Sequence, residues 1–291
     1  MNADQGPIGT AAVGLQRPPL VVRALGVVPY EVALDRQRRL VKARQADETP
    51  DHLLLLEHPA VITIGVRGRA HPQHLLASRA ELREVGIDVH DVARGGDVTY
   101  HGPGQIVGYP VVSLKPDRCD VRRYVTDLEE VLIRTAAGFG VEAGRVAGLT
   151  GVWVGNDKLA AIGVSLSRWV TSHGFALNVA TNLDHFRFIV PCGLEGRGVT
   201  SLDRLLLTPP SQTEVEDALA TEFARVFDRR IVIYPGLRPE PYVTAPWGPR
   251  MPHFAAAARA LWCPGVFLSP CLCLLSRRGI FPGIRRTPFV F

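Results

Sequence analysis

Along the middle of the chain the spacing of apolar positions changes repeatedly, and each change marks an element. Leu20–Val28 and His52–Glu57 are apolar runs of strand length, and Val61–Ile64 follows as a third after His58 and Pro59. Tyr30–Arg44 sets Tyr30, Ala33, Leu34, Leu40 and Val41 roughly on one helical face. Leu75–Val85 predicts a second helix and Val89–Ala93 a return to strand. Gln105–Leu114 is apolar enough for a buried strand, but Pro110 cannot donate to a ladder and suggests an edge or a bulge. The strongest helix is Val121–Phe139, where Val121, Val125, Leu128, Leu132, Thr135 and Phe139 recur three or four apart behind Asp120, a residue suited to an N-cap. Gly155-Asn156-Asp157 reads as a hairpin turn between Val152–Val154 and Lys158–Leu166. Ala176–Val179, Glu214–Arg229 and Ile231–Tyr234 then predict strand, helix and strand. Hairpins mixed with helix-linked strands imply an α+β fold, a mixed β-sheet packed with helices, in one domain over residues 19–238. The regular βαβ spacing of a doubly wound sheet is absent from the sequence.

Composition narrows the class. At 291 residues, with 46% hydrophobic and 21% charged, the chain can bury a sizeable core. Five irregularly spaced cysteines do not make a disulfide framework, which favours a reducing compartment. The opening MNADQGPIGTAAVGLQ lacks a basic stretch followed by an apolar core, and Leu261–Leu275 is broken by Pro264 and Pro270, short of the roughly 20 residues of a membrane helix. The expectation is a soluble, cytoplasmic protein with no membrane partner.

The net charge of +5 changes meaning once it is located. Residues 239–291 hold six arginines against Glu240 alone, a surplus of five, so the rest of the chain is neutral. A basic face on the folded body is therefore not implied, and no nucleic-acid partner is expected. The same 53 residues hold nine of the 23 prolines together with Cys263, Cys271 and Cys273. They read as a Pro/Arg-rich, irregular C-terminal extension, and residues 1–18 as a flexible N-terminal segment.

Four stretches could carry chemistry. In Arg94-Gly95-Gly96-Asp97-Val98-Thr99-Tyr100-His101-Gly102-Pro103-Gly104-Gln105, four glycines let the backbone approach a ligand, and Arg94, Tyr100 and His101 add polar tips. The competing reading is a plain glycine-rich turn between strands. The stretch lacks the Gly-Lys-Ser/Thr of a phosphate-binding loop. Cys192, between Pro191 and Gly193, is held with little steric cover, which suits a nucleophile, although most lone cysteines are small core fillers. Lys158 opens an otherwise apolar strand. It is either an exposed turn lysine or a base drawn into a pocket beside a thiol. His173, in Ser172-His173-Gly174-Phe175, either faces a site or supports a turn. Metal binding has little support: Cys271 and Cys273 have no second pair, and His71 and His74 no third ligand.

Taken together, RGGDVTYHGPGQIVGYPVVSL (94–114), GVWVGNDKLAAIGVSLSRWVTSHGFALNV (151–179) and FIVPCGLEGRGVTSL (188–202) resemble the lipoyl(octanoyl) transferases over roughly residues 20–238. That resemblance implies the mixed-sheet module shared with biotin and lipoate protein ligases. It implies Cys192 as nucleophile, forming an octanoyl thioester, and Lys158 as the residue that lowers the thiol's pKa and moves its proton. Arg94, Gly95, Gly96, Asp97, Val98, Thr99, Tyr100 and His101 would line the acyl pocket. Ala161, Ile162, Gly163, Gly174, Phe175 and Ala176 would complete it, with backbone N–H groups near the developing oxyanion. The implied donor is octanoyl–acyl carrier protein. The implied acceptors are lipoyl domains of 2-oxoacid dehydrogenases and the glycine cleavage H protein, with no cofactor. Arg168, Arg197 and Arg204 are candidates for docking acidic carriers. An ATP-dependent lipoate–protein ligase, a non-catalytic acyl-carrier binding module and a nucleic-acid binder are the alternatives.

Overall fold

The computed structural model describes residues 17–190 and 196–232. Its strands are β1 (Pro19–Val27), β2 (Asp51–Glu57), β3 (Val61–Ile64), β4 (Asp88–Asp91), β5 (Val98–His101), β6 (Gln105–Val111), β7 (Gly144–Val146), β8 (Leu149–Val154), β9 (Asp157–Ser167), β10 (Val170–Asn178), β11 (Gly198–Val199) and β12 (Arg230–Val232). The helices are α1 (Tyr30–Gln45), α2 (Arg79–Glu84), α3 (Val121–Gly138), α4 (Leu202–Leu205) and α5 (Gln212–Val226), with 3₁₀ turns at Gly68–Ala70, Pro72–His74 and Leu183–Phe188.

The main sheet has the order β12-β1-β2-β6-β10-β9-β8-β7, with β11 added beside β9. β12, β1 and β2 run parallel, the pairs from β2 to β7 are antiparallel, and β11 lies parallel to β9. A small second sheet has the order β4-β3-β5.

The run Leu53–Leu56 explains itself in this frame. Leu53 and Leu55 pack with α3 and α5 through Leu128, Leu132, Leu219 and Phe223. Leu54 and Leu56 face the other way, with Ala33 of α1, Val107 and Tyr109. A strand covered on both faces needs no polar alternation. Mixed sheet and flanking helices are as the sequence implies. Among the described residues no helix is long and apolar enough to cross a membrane.

Five details differ from the sequence reading. The Leu75–Val85 helix shrinks to α2, because Ser78 caps it in a reciprocal capping box with Glu81 and fixes its start there. The glycine-rich stretch contains a strand, β5, which pairs antiparallel with β3. The strand read at Ala176–Val179 begins at Val170, since His173 and Gly174 keep their pairing to β9 despite irregular backbone. Pro110 lies in an interior strand. The β6–β10 ladder stops at Gly108–Phe175, and Thr171 Oγ1 bridges the gap by donating to Pro110 O and accepting from Val112 N. On α3, Asp120 caps as read, through Arg122 N and Arg123 N, but the buried stripe starts at Tyr124 and Val121 is exposed. The readings of residues 1–16 and 239–291, and of Cys192, fall outside the described residues.

Candidate active site

A cavity of about 180 Å³ opens between the centre of the main sheet and the glycine-rich stretch. Thirteen of the predicted site residues line it: Arg94, Gly96, Asp97, Val98, Thr99, His101, Lys158, Ala161, Ile162, Gly163, Gly174, Phe175 and Ala176. Gly95 and Tyr100 do not. Gly95 N–H instead donates to Val164 O at 2.9 Å, tying the stretch to β9. Tyr100 follows from alternation along β5. Thr99 and His101 share the cavity side, while Tyr100 turns into the cluster with Leu82, Ile87 and Phe186, where its hydroxyl meets His185 Nδ1 at 2.8 Å.

Arg94 is 7% exposed and spends its donors on main chain and hydroxyl. Nη1 donates to Gly95 O and Asp97 O, and Nη2 to Thr63 O and Thr63 Oγ1. It thus locks the loop in place and brings a fixed positive charge to the cavity wall. Gly163 makes this approach possible, since a Cβ there would lie 3.0 Å from both Arg94 Cδ and Gly95 O. Asp97 holds the other side of the loop. It accepts from Val98 N and from His74 Nδ1, both at 2.8 Å.

One wall is built of neutral histidines. His101 Nδ1–H donates to Gln105 Oε1, whose amide group in turn donates to Asn178 Oδ1. Burial, then the neighbouring His58 and Arg94, push the His101 pKa down to about 3. Burial, then Arg94 and Arg38, lower His173 to about 4. His173 sits at φ +56°, and its N–H donates to the buried Gln37 Oε1 at 2.7 Å. It therefore faces the cavity and also shapes an irregular strand. Behind this wall His58 Nδ1–H donates to Val28 O at 2.6 Å, so its Nε2 accepts from Tyr109 Oη at 2.7 Å. Burial holds His58 down to about 4 and raises Tyr109 well above the ordinary tyrosine range.

Lys158 is 6% exposed and lines the cavity, which disposes of the exposed-turn reading. Its ammonium lies 4.7 Å from the centre of the Trp153 ring. Val199 pairs with Lys158 in register, and Thr200 N–H donates to Lys158 O at 3.0 Å. On the incoming side Val190 N–H donates to His74 O. Cys192 belongs to the segment between these two anchors and lies outside the described residues.

Tyr30, Arg67, Tyr109 and Leu149 also line the cavity and were not singled out from sequence. Tyr109 carried a signal, a hydroxyl inside a largely apolar strand; Tyr30 read only as part of the apolar face of α1, and Arg67 carried none. Arg168 occupies the β9–β10 turn, Arg204 is exposed on α4, and Arg197 stacks on Trp153. Among the described residues no three His, Cys, Asp or Glu side chains are grouped as metal ligands would be.

The family model of the lipoyl protein ligase A/B catalytic domain matches residues 29–224. A curated octanoyltransferase from Solibacter usitatus is 52% identical over 207 residues, covering 71% of this chain and 92% of that protein. One from Caldicellulosiruptor saccharolyticus is 51% identical, covering 70% and 86%. Among solved structures, a bi-partite lipoate protein ligase from Thermoplasma acidophilum superposes with a TM-score of 0.53 at 17% identity, covering 75% of this chain and 88% of that one.

Proposed function

Because the chain belongs to the lipoyl protein ligase A/B catalytic family, and within it to the octanoyltransferases, we propose that it moves the octanoyl group by a Cys192–Lys158 dyad. The donor is octanoyl–acyl carrier protein. The acceptor is a lysine of a lipoyl domain, such as those of 2-oxoacid dehydrogenases and the glycine cleavage H protein. The catalytic unit is residues 19–238.

The supporting observation is the burial of Lys158 at the cavity, beside the strand that returns from the segment holding Cys192. In the first half-reaction the neutral amine of Lys158 takes the Cys192 proton and becomes an ammonium, and the thiolate attacks the thioester carbonyl. The bond between that carbonyl and the donor sulfur breaks, and the proton passes to the departing thiol. In the second, the neutral amine of the acceptor lysine attacks the enzyme thioester. An amide forms, the Cys192 sulfur leaves, and the proton lost by the amine returns it to a thiol. The thioester supplies the activation, so no ATP enters. Arg94, Asp97 and His101 shape the acyl pocket together with Ala161–Gly163 and Gly174–Ala176.

The test is intact-protein mass spectrometry after mixing the protein with octanoyl–acyl carrier protein, without ATP. One octanoyl adduct is expected, lost in Cys192→Ala and discharged onto an apo lipoyl domain. Acylation of the domain only from octanoate plus ATP would overturn the reading in favour of a ligase.

A further inference from the structure

Beside the dyad lysine, one aromatic ring carries two cations. Lys158 Nζ lies 4.7 Å and Arg197 Cζ 5.1 Å from the centre of the Trp153 indole, both inside the roughly 6 Å range of a cation–π attraction. Trp153 is only 3% exposed, so little water weakens that attraction.

The backbone is arranged to produce this contact. Val152 pairs with Ala160 but Trp153 with Lys158, so one step along β8 spans two along β9 and Leu159 is left over. Such a bulge re-aims the residues that follow or precede it, and here it sets Lys158 opposite Trp153. Gly151 completes the seat. At φ +121° its N–H donates to the buried Glu129 Oε1 at 3.0 Å, pinning β8 to α3. A Cβ at that position would lie 2.7 Å from Ala160 O and 3.5 Å from Lys158 Cε. The lysine stem therefore runs past bare backbone to the ring. The Trp153 Nε1–H is buried with no hydrogen-bond partner among the described residues, so what the ring offers here is its face.

We infer that Trp153 is a positioning residue for Lys158, and that the same ring seats, through Arg197, the chain that returns from the nucleophile's segment. The inference rests on Lys158 acting in the proposed dyad. The indole face fixes where the ammonium sits, and Arg197 registers the returning strand against it. Trp153 is not among the residues that line the cavity, so its part is to hold Lys158 rather than to meet the acyl group.

A double-mutant cycle tests this, read as the rate of octanoyl-adduct formation and the KM for octanoyl–acyl carrier protein. Trp153→Leu is expected to lower the rate about tenfold, the scale of a desolvated cation–π contact, with KM unchanged. Trp153→Phe, which keeps an aromatic face, should retain most of the rate. Added to Lys158→Ala, Trp153→Leu should cost nothing further, and Arg197→Ala should cost little on top of Trp153→Leu. An equal loss from Trp153→Leu with and without Lys158, or equal losses in the Phe and Leu variants, would overturn the inference. Should the Leu variant unfold early in a thermal scan, fluorinated tryptophans can replace Trp153 with Trp169, Trp247 and Trp262 changed to Phe. Fluorine weakens the π face at nearly constant size, so a stepwise fall in rate is expected, and an unchanged rate would refute the role. If Lys158→Ala alone keeps the full rate, it is the dyad reading that has failed.

Discussion

The two faces of the main sheet are buried by different chemistry. Toward α3 and α5 the buried side chains are nearly all apolar: Leu53, Leu55, Ile106, Leu128, Leu132, Phe223 and their neighbours. Toward α1 and the small sheet, His58, His101, His173, Tyr109 and Arg94 are buried as well, and the side chains of His58, His101, Tyr109 and Arg94 have hydrogen bonds that single out one orientation. Apolar packing tolerates repacking, whereas a buried polar group is stable only in the geometry that satisfies it. The first face holds the fold, and the second fixes the shape and charge of the cavity. Mutations on the two faces should therefore separate stability from activity.

The largest separation is expected at Lys158. Lys158→Ala should lower the rate of octanoyl transfer by about 10²–10⁴-fold while leaving the thermal midpoint within a few degrees, as read by mass spectrometry and calorimetry. The reverse pattern is expected at Leu128, on α3 with no exposure. Leu128→Ala should cost about 2–5 kcal/mol of unfolding free energy in a urea titration, with turnover of the folded fraction nearly unchanged. A comparable loss of turnover there would show that the two faces are not separable.

Acid should act on the cavity face first. His58, His101 and His173 have folded pKa values of about 4, 3 and 4, below the ordinary 6.5. The unfolded chain therefore binds their protons more readily, and stability falls as the pH drops from about 6.5 toward 4. Each contributes up to about 1.4 kcal/mol per pH unit. His58→Gln, which leaves a neutral group there, should flatten the curve of urea midpoint against pH between 6.5 and 4; an unaltered slope would rule His58 out as a contributor. The smallest effect belongs to the α3 cap. Asp120→Ala should cost about 1 kcal/mol, since it frees only Arg122 N–H and Arg123 N–H at an exposed helix end, and should leave transfer untouched.

The apolar face was also the more legible in the sequence. The Leu53–Leu56 run, the stripe on α3 and the Asp120 cap are local patterns, and the stripe slipped by a few residues because helical periodicity says little about which end of a helix is covered. Lys158 could be singled out because a charge at the head of an apolar strand is anomalous. The orientation of Tyr100 could not, since a four-residue strand takes its phase from its partner β3. The neutrality of His58 and His101 comes first from their burial, which is produced by segments distant in sequence and joined only by the fold. Pro110 misled because its missing donor is compensated by the side chain of Thr171.

The double-sided burial of Leu53–Leu56 bears on how the chain is made as well as on how it rests. During synthesis this segment emerges after β1 and α1 but before β6, so one of its edges lacks a partner until Gln105–Val111 has been translated. Four consecutive leucines with an open edge are a template for pairing with a neighbouring nascent chain. Asp51 and His52 on one side, with Glu57, His58 and Pro59 on the other, flank the run with charge, polarity and a ladder-breaking ring. In the finished molecule several of them support the buried polar architecture, and their placement around the leucines is that of gatekeeper residues flanking an aggregation-prone strand.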